Sequence, residues 1–187
     1  MTELRGENVL LRGVAPEEVE MVLPRVAPAE LAAGDEVAVA RKRARLERSG
    51  ERNAWEIWFA IEVAGRFVGD VQGRCSDTAM PPGVWELGIE LWDEADRGRG
   101  YGREACALLA SHLFEAEGAI RVQATTDVDN AAMRRTFETI GFAYEGVLRG
   151  FMPQPESEPR DYAMYAVTQK DRRTAKERGG TTWTRAR

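Results

Sequence analysis

Hydrophobic and polar positions follow two different periodicities along this chain. In residues 84–92 (VWELGIELW) large apolar side chains occupy every second position, and Glu86, Gly88 and Glu90 fall between them. Successive side chains of a strand point to opposite faces, so this segment predicts a strand with one apolar and one acidic face. In residues 104–116 (EACALLASHLFEA) the apolar positions recur every three to four residues, which predicts a helix.

Weaker copies of the same two patterns extend along the rest of the chain. The predicted strands are residues 8–14, 55–63, 66–72, 84–92, 120–125, 142–151 and 162–167. The predicted helices are one that begins near residue 15 and those of residues 35–48, 104–116 and 130–140. The order βααβββαβαββ predicts one α/β domain over residues 1–170, with about seven strands and about four helices. We expect residues 171–187, which are rich in charge and glycine, to form a tail or a further short helix.

The composition narrows the classes of function. Apolar residues make up 43% of the chain, no apolar run approaches the roughly 18 residues of a membrane span, and the first residues lack the apolar core of a signal sequence. We therefore expect a globular cytoplasmic protein that does not bind membranes. The net charge of −5 argues against a nucleic-acid partner and is compatible with a cationic one. Two cysteines and one histidine do not suggest a disulfide framework or a metal site, so Cys106 and His112 are expected to be structural.

The strongest candidate for chemistry is a glycine-rich loop, residues 97–102 (RGRGYG), between a predicted strand and a predicted helix. A helix N-terminus presents unpaired N–H groups and a partial positive charge, and glycine lets a ligand approach the backbone closely. With Arg97, Arg99 and Arg103 around it, the loop predicts a site for a ligand that carries a pyrophosphate. A glycine-rich turn without a ligand is the open alternative.

Two common diphosphate-binding motifs do not fit this loop. A Walker loop ends in Gly-Lys-Ser/Thr, whereas Gly102 is followed by Arg103 and Glu104. A dinucleotide-binding loop has the spacing G-x-G-x-x-G. The glycines of this loop, Gly98, Gly100 and Gly102, have the spacing G-x-G-x-G instead.

The spacing R-x-x-G-x-G, after an alternating strand and before an amphipathic helix, resembles motif A of the GNAT acetyltransferases. Residues 130–142 (NAAMRRTFETIGF) are similar to the family's next helix, which Asn opens and Gly-Phe closes. Residues 145–149 (EGVLR) and 160–162 (RDY) are similar to the last strands of the branch that contains the ribosomal-protein N-terminal (Rim-type) acetyltransferases. The resemblance covers most of residues 5–170. It implies a mixed, mostly antiparallel sheet and acetyl-CoA as the co-substrate, with no metal.

The resemblance also implies which residues bind acetyl-CoA. Asn130, which is also a natural helix N-cap, can bond a pantetheine amide, and one of the two arginines on its helix, for which we take Arg135, can reach a phosphate. Backbone N–H groups near Glu90, Leu91 and Trp92 would hold the acyl carbonyl while a tetrahedral intermediate forms. Gly88, in the middle of that strand, is consistent with close ligand approach. The pyrophosphate would lie on the backbone of motif A, which here comprises Arg97, Gly98, Arg99, Gly100, Tyr101 and Gly102, with Arg103 beside it.

A catalytic base is expected on the acidic face of the strand before motif A, because an ammonium group must lose a proton before it can attack. Some family members carry a glutamate at the position of Glu86, eleven residues before Arg97, and Glu90 is the second candidate. Either glutamate is equally well explained as an exposed strand acid. A β-bulge in this strand, common in the family, would turn one of them away.

The proton donor for the departing thiolate does not follow from the resemblance. The family often has a tyrosine or a serine on the helix that Asn130 opens, and this chain has Phe137 and Met133 at those positions. Tyr165, which we take as the candidate, Tyr162 or a water can serve instead. A thiolate with a pKa of about 8.5 can also leave without an acid.

The resemblance leaves the acceptor open among a protein N-terminus, an aminoglycoside-like antibiotic, a polyamine and a free amino acid. Dimers are common among similar proteins, so a homodimer is a further expectation. The missing hydroxyls at Met133 and Phe137 favour one rival, a catalytically silent domain that binds acyl-CoA. An interaction module without a ligand is another rival.

Overall fold

One β-sheet with helices on both faces forms the framework of the computed structural model, which describes residues 2–75, 80–155 and 157–177. In these ranges the strands are β1 (Leu4–Arg5), β2 (Leu10–Arg12), β3 (Glu56–Val63), β4 (Arg66–Arg74), β5 (Val84–Leu91), β6 (Arg121–Asp127), β7 (Ala143–Gln154) and β8 (Ser157–Thr168). The α-helices are α1 (Val19–Val26), α2 (Pro28–Ala33), α3 (Glu36–Glu47), α4 (Tyr101–Glu115), α5 (Ala131–Thr139) and α6 (Gln169–Glu177).

The strands lie side by side in the order β1-β2-β3-β4-β5-β6-β8-β7. Neighbouring strands are antiparallel except β5 and β6, which run parallel. A parallel pair needs a crossover connection, and α4 supplies it. The predicted α/β fold with a mixed, mostly antiparallel sheet is therefore confirmed.

The described ranges contain more elements than the sequence pattern predicted, eight strands rather than seven and six α-helices rather than four. β1 was missed because two residues are too few to show an alternation. The helical region that begins near residue 15 divides at Ala27, whose φ of −133° leaves the helical range before Pro28 starts α2. The expected C-terminal tail begins with α6, and its residues 178–187 lie outside the described part of the chain.

The first core lies between the sheet and the helices α4 and α5. α4 is buried along most of its length, from Ala105 to Phe114, which fits a helix enclosed by the protein rather than one lying on its surface. Cys106 is fully buried there, and burial raises the pKa of its thiol to about 12, so this cysteine is structural, as predicted. His112 packs edge-on against Phe59, with 6.2 Å between the ring centroids.

The second core lies on the opposite face of the sheet, where α1 and α3 cover β3 and β4. The carboxylate of Asp70 is buried in this layer and accepts hydrogen bonds from the indole Nε1 of Trp58 (3.1 Å) and of Trp92 (3.0 Å). Burial raises the pKa of the Asp70 carboxyl to about 6. This face of the sheet also carries the acidic positions of β5, because Asp70 lies directly opposite Glu90.

Candidate active site

The parallel strands β5 and β6 separate in the middle of the sheet. Their ladder has three residue pairs and ends where Glu86 lies opposite Gln123. Beyond that point β5 stays paired with β4 as far as Leu91, and β6 stays paired with β8 as far as Asp127. An opening between two strands that are each paired on their other side follows from this register.

A cleft of about 960 Å³ occupies the opening. Leu87, Gly88 and Ile89 of β5 line one side, and Thr125 and Asp127 of β6 line the other. Residues of α5 and of β3, β4, β7 and β8 complete its wall.

The alternation predicted for β5 is present in the structure. Trp85 and Leu87 are buried in the first core, and Ile89 packs against it. The ladder between β4 and β5 has no register shift, so the strand carries no bulge, and Glu86 and Glu90 stay on the same face. Only the surroundings of the two glutamates therefore distinguish them.

Beyond Glu86 the backbone N–H groups of β5 point alternately to β4 and to the opening. The N–H of Trp92 donates to the carbonyl of Val68 (3.0 Å), so this amide is engaged within the sheet and is not available to an acyl group. Along an antiparallel strand the backbone groups of successive residues point to opposite edges. The amides of Leu91 and Ile89 therefore face the opening, whereas those of Glu90 and Trp92 face β4. The expectation of an acyl contact is wrong for the amides of Glu90 and Trp92, and it stays a prediction for Leu91.

The glycine-rich loop forms a tight entry into α4. Gly98 (φ +73°) and Gly100 (φ +87°) adopt left-handed conformations that L-residues rarely populate, so both glycines are required by the turn itself. Gly100 is the N-cap residue and offers no side-chain cap to the first turn, which starts at Tyr101. Gly102 lies within the helix, where an added Cβ would meet the side chain of Ile89 at an ordinary 3.6 Å. The N–H groups of the first turn and the positive end of the helix are the features that bind anions.

An ion pair holds this loop against β4. Asp96 is buried, and the guanidinium of Arg66 donates to both of its carboxylate oxygens at 2.9 and 2.6 Å. The Arg66 guanidinium holds the pKa of the Asp96 carboxyl below its usual range. Sequence reasoning missed this pair because the two residues are thirty positions apart.

The two arginines of the loop and Arg103, which follows it, are exposed to solvent. Arg99 donates from Nε to the carbonyl of Ala95 (2.8 Å), and Arg97 reaches the carbonyl of Leu91 at 3.5 Å. Arg103 extends from the first turn of α4. All three cations lie where they can interact with an anion bound at the helix N-terminus.

Asn130 opens α5 and lines the cleft. Its side chain accepts a hydrogen bond from the N–H of Met133 (3.0 Å), which is the predicted N-cap role. Of the two arginines that follow, Arg134 donates to the Tyr165 hydroxyl (3.2 Å) and to the Val128 carbonyl (3.1 Å). Arg135 is exposed, which leaves it as the candidate for contact with a phosphate.

The two candidate bases have different positions relative to the cleft. Glu86 lines it, and its Oε1 accepts a hydrogen bond from Arg74 at 3.0 Å. Glu90 is exposed beside the buried Asp70 and is not among the lining residues. The cleft thus contains the first candidate and not the second. Glu56 of β3 also lines the cleft, and sequence reasoning missed it because the order of the strands was not known.

Tyr165 does not reach the cleft. Its side chain is fully buried on the face of the sheet that α5 covers, and its hydroxyl accepts from Arg134 and bonds Oε1 of Glu138 (3.1 Å). The expectation that Tyr165 serves as the proton donor is therefore not supported by its position. Tyr162, three residues earlier, points to the opposite face and lines the cleft.

No helix in the described part of the chain is long and apolar enough to cross a bilayer. No three histidine, cysteine, aspartate or glutamate side chains there are grouped so that they could hold a metal ion.

Known proteins resemble this chain in sequence. The family model of the acetyltransferase (GNAT) domain matches residues 8–143. A curated relative, the uncharacterized N-acetyltransferase YoaA of Bacillus subtilis (strain 168), is 35% identical over 82 residues, which are 44% of this chain and 45% of YoaA. The match thus spans less than half the length of that relative.

Solved structures resemble the chain in fold. Mycobacterium smegmatis RimJ in complex with CoA-disulfide has a TM-score of 0.67 at 20% identity, over 94% of this chain and 91% of RimJ. RimL, a ribosomal alpha-N-protein acetyltransferase in complex with coenzyme A, has a TM-score of 0.69 at 15% identity, over 89% of this chain and 97% of RimL. Because the family model extends over well more than half of the chain, from residue 8 to residue 143, the protein belongs to the GNAT acetyltransferase family.

Proposed function

We propose that this protein transfers the acetyl group of acetyl-CoA to a primary amine, which attacks the thioester directly. The observation that carries the proposal is the position of Glu86, at the point where β5 and β6 separate and inside the cleft. The cleft contains the carboxylate of Glu86 and part of the β5 edge, and none of residues 97–103 lines it. The N-terminus of α4 lies beside that strand, because Gly102 approaches the side chains of Ile89 and Leu91. An anion site, backbone donors for the acyl oxygen and a carboxylate base together support acyl transfer from a diphosphate-bearing thioester to an amine.

The N-terminus of α4 would bind the diphosphate of the donor. The first turn has no side-chain cap, and an added Cβ at Gly98 would meet no atom within 4 Å, so the loop is open to a ligand. Arg97, Arg99 and Arg103 add positive charge around it. Asn130 and Arg135 on α5 would contact the same molecule further along, which remains a prediction.

The edge of β5 would stabilise charge on the acyl oxygen. The amides of Leu91 and Ile89 face the opening, and backbone donors fixed in a strand need no reorganisation when an oxyanion develops. Such donors typically contribute about two to three orders of magnitude in rate. The same edge would hold the donor in line with the acceptor.

Glu86 would remove the proton from the attacking amine, directly or through a water. Its Oε1 is held by Arg74, which restricts the orientation of the carboxylate. Positioned general bases typically contribute about 10²–10⁴-fold to the rate. For the thiolate that leaves, Tyr162, which lines the cleft, is the candidate proton donor, and a water is the alternative.

The class of amine that accepts the acetyl group is a separate part of the proposal. A protein N-terminus and a small amine are both candidates, and the similarity to RimL, an alpha-N-protein acetyltransferase, favours the first. Residence in the cytoplasm and a homodimer stay predictions as well. Light scattering of the purified chain tests the dimer.

A rival function, an acyl-CoA-binding domain without catalysis, has one specific observation in its favour. Met133 and Phe137, which replace the family's hydroxyl residues, both line the cleft and cannot donate a proton.

Release of free CoA thiol from acetyl-CoA, measured with a panel of primary amines, separates the two functions. The enzyme proposal expects amine-dependent thiol release together with a mass increase of the amine by one acetyl group. Binding of acetyl-CoA, seen as a rise in melting temperature, without amine-dependent release would support the silent domain instead. If acetyl-CoA causes no rise in melting temperature, both functions are contradicted.

A further inference from the structure

Sulfur-containing side chains line much of the cleft. Four of the six methionines in the chain contribute to its wall, and they are Met80, Met133, Met152 and Met164. These residues come from a loop, from α5, from β7 and from β8, so the sheet topology rather than one local motif brings them together. Methionine is flexible and polarisable, and it adapts its shape to different apolar partners.

Aromatic side chains continue this apolar wall and are incompletely covered. Trp55 is 56% exposed and Phe151 is 46% exposed, although both line the cleft. The Phe151 ring packs on that of Tyr162, with 5.5 Å between centroids, and this contact joins the two strands of the β7–β8 hairpin. Large apolar side chains left exposed in a concave region mark a surface that binds an apolar group.

The carboxylates of the cleft are neutralised by arginines. Glu86 is bonded by Arg74 at 3.0 Å, and Glu56 by Nε of Arg45 at 2.9 Å. Asp127, on the β6 side, is paired with Arg160 at 2.8 Å. Each acid that lines the described cleft thus has a cationic partner, so the wall does not carry the excess negative charge that a polycation would need.

We propose that the acceptor is an amphipathic amine, in which a large apolar or aromatic group lies next to the amino group. The amino group would face Glu86, and the neighbouring group would pack on the wall formed by Trp55, Phe151, Met152 and Met164. Because methionines form much of this wall, it accepts several apolar shapes rather than one. The proposal rests on the acetyl transfer proposed above and revises the expectation of a polyamine or aminoglycoside-like acceptor.

A matched panel of acceptors tests this preference by thiol release and mass spectrometry. 2-Phenylethylamine is compared with ethanolamine and spermidine, and peptides that begin with Phe, Leu or Met are compared with peptides of the same following sequence that begin with Ser or Asp. We expect kcat/KM for the apolar amines to exceed that for the polar ones by about tenfold or more. The small-amine and peptide arms distinguish a metabolite from a protein N-terminus.

The possible outcomes separate this proposal from the one on which it rests. Equal or better use of ethanolamine, spermidine or the Ser and Asp peptides overturns the apolar preference while acetyl transfer stands. If no amine at all is acetylated, both proposals fail. Similar rates for the Phe, Leu and Met peptides support an adaptable wall, and use of one of them alone overturns that adaptability.

Two variants of the wall provide a second measurement. Phe151→Ala and Met152→Ala should each raise KM for 2-phenylethylamine several-fold, up to about tenfold, because each removes apolar contact area. KM for ethanolamine and for acetyl-CoA should stay unchanged. Val147→Ala, on the same strand, 45% exposed and not part of the cleft wall, is the matched control. Equal effects of all three variants, or a rise in KM for every amine, would contradict the proposal.

Discussion

Glu86 and Gln123 form the last residue pair between β5 and β6, and the two strands separate directly beyond them. This register places the glutamate at the vertex of the opening, on the face of the sheet opposite to α4. Arg74, directly across from Glu86 on β4, bonds its carboxylate from the other side. Strand pairing alone therefore determines where the proposed base stands relative to the amide edge of β5.

Removing the carboxylate of Glu86 should impair the chemical step and spare the binding of the donor. Glu86→Gln keeps the size of the side chain and an oxygen for Arg74, so we expect kcat to fall by about 10²–10⁴-fold. The dissociation constant of acetyl-CoA, measured by calorimetry, should change by less than about twofold. Glu90→Gln, the variant of the rival candidate on the same face, should reduce kcat far less. A comparable loss of affinity and turnover in Glu86→Gln would indicate structural damage instead.

Gly100 should be needed both for stability and for binding of the donor. Its φ of +87° is strained for any L-residue, so Gly100→Ala should lower the free energy of unfolding by about 1–2 kcal/mol. It should also weaken acetyl-CoA binding, because relief of the strain distorts the first turn of α4. Gly118→Ala is the control, since Gly118 has a φ of +68° beyond the other end of α4. The two variants should lose similar stability in urea unfolding, and the affinity should fall in Gly100→Ala alone.

The adjacent arginines Arg134 and Arg135 should have separate roles. Arg134→Ala removes two internal hydrogen bonds and should lower the free energy of unfolding, with little effect on the affinity for acetyl-CoA. Arg135→Ala should leave the stability within about 0.5 kcal/mol of the parent protein.

The affinity for the donor is the second readout for this pair. Arg135→Ala should weaken acetyl-CoA binding and reduce its dependence on salt concentration, because a cation near a phosphate is lost. A reversed pattern, with affinity lost in Arg134→Ala and stability lost in Arg135→Ala, would refute the assignment.

Asp70 should make stability decrease as the pH rises through the weakly acidic range. Its pKa is raised by burial from 3.8 to about 6 in the folded protein, so the folded state binds the proton more tightly than the unfolded chain does. The contribution is most favourable below pH 3.8 and is lost as the pH rises to about 6, by on the order of 2–3 kcal/mol.

The Asp70→Asn variant isolates this contribution. We expect the difference in free energy of unfolding between parent and variant to shift in favour of the variant from pH 4 to pH 7, by about 2–3 kcal/mol. Chemical unfolding followed by tryptophan fluorescence at several pH values measures it. A difference that stays constant over this range would exclude Asp70 as the titrating group.

Local features of the fold were predictable because they depend on neighbours in sequence. The alternation of β5 follows from a period of two, and the N-cap role of Asn130 follows from a side chain that satisfies an amide three residues later. Gly98 and Gly100 were identified correctly as a tight loop before α4. The physical reason that the structure adds is their positive φ, which the spacing alone did not specify.

Features that depend on strand order were not predictable in the same way. The engagement of the Trp92 amide by Val68, and the burial of Tyr165 rather than Tyr162, depend on which strand lies on which side. The apolar wall of the cleft was missed because β8 lies between β6 and β7, which brings Phe151 to residues far away in sequence. The alternation of apolar and polar residues tells which side of the sheet a residue faces. It does not tell where in the sheet the residue lies, because that depends on which strands are neighbours.

The opening between β5 and β6 divides the sheet into a five-stranded part and a three-stranded part, which three residue pairs and the helices beneath hold together. A molecule that bonds to both edges of the opening would complete the sheet in the manner of an inserted strand. The stiffness of the domain would then depend on its occupant, and the amides on either side should exchange their hydrogens more slowly once the cleft is filled. The two parts of the sheet would then behave as one rigid unit only while a bound molecule bridges the opening.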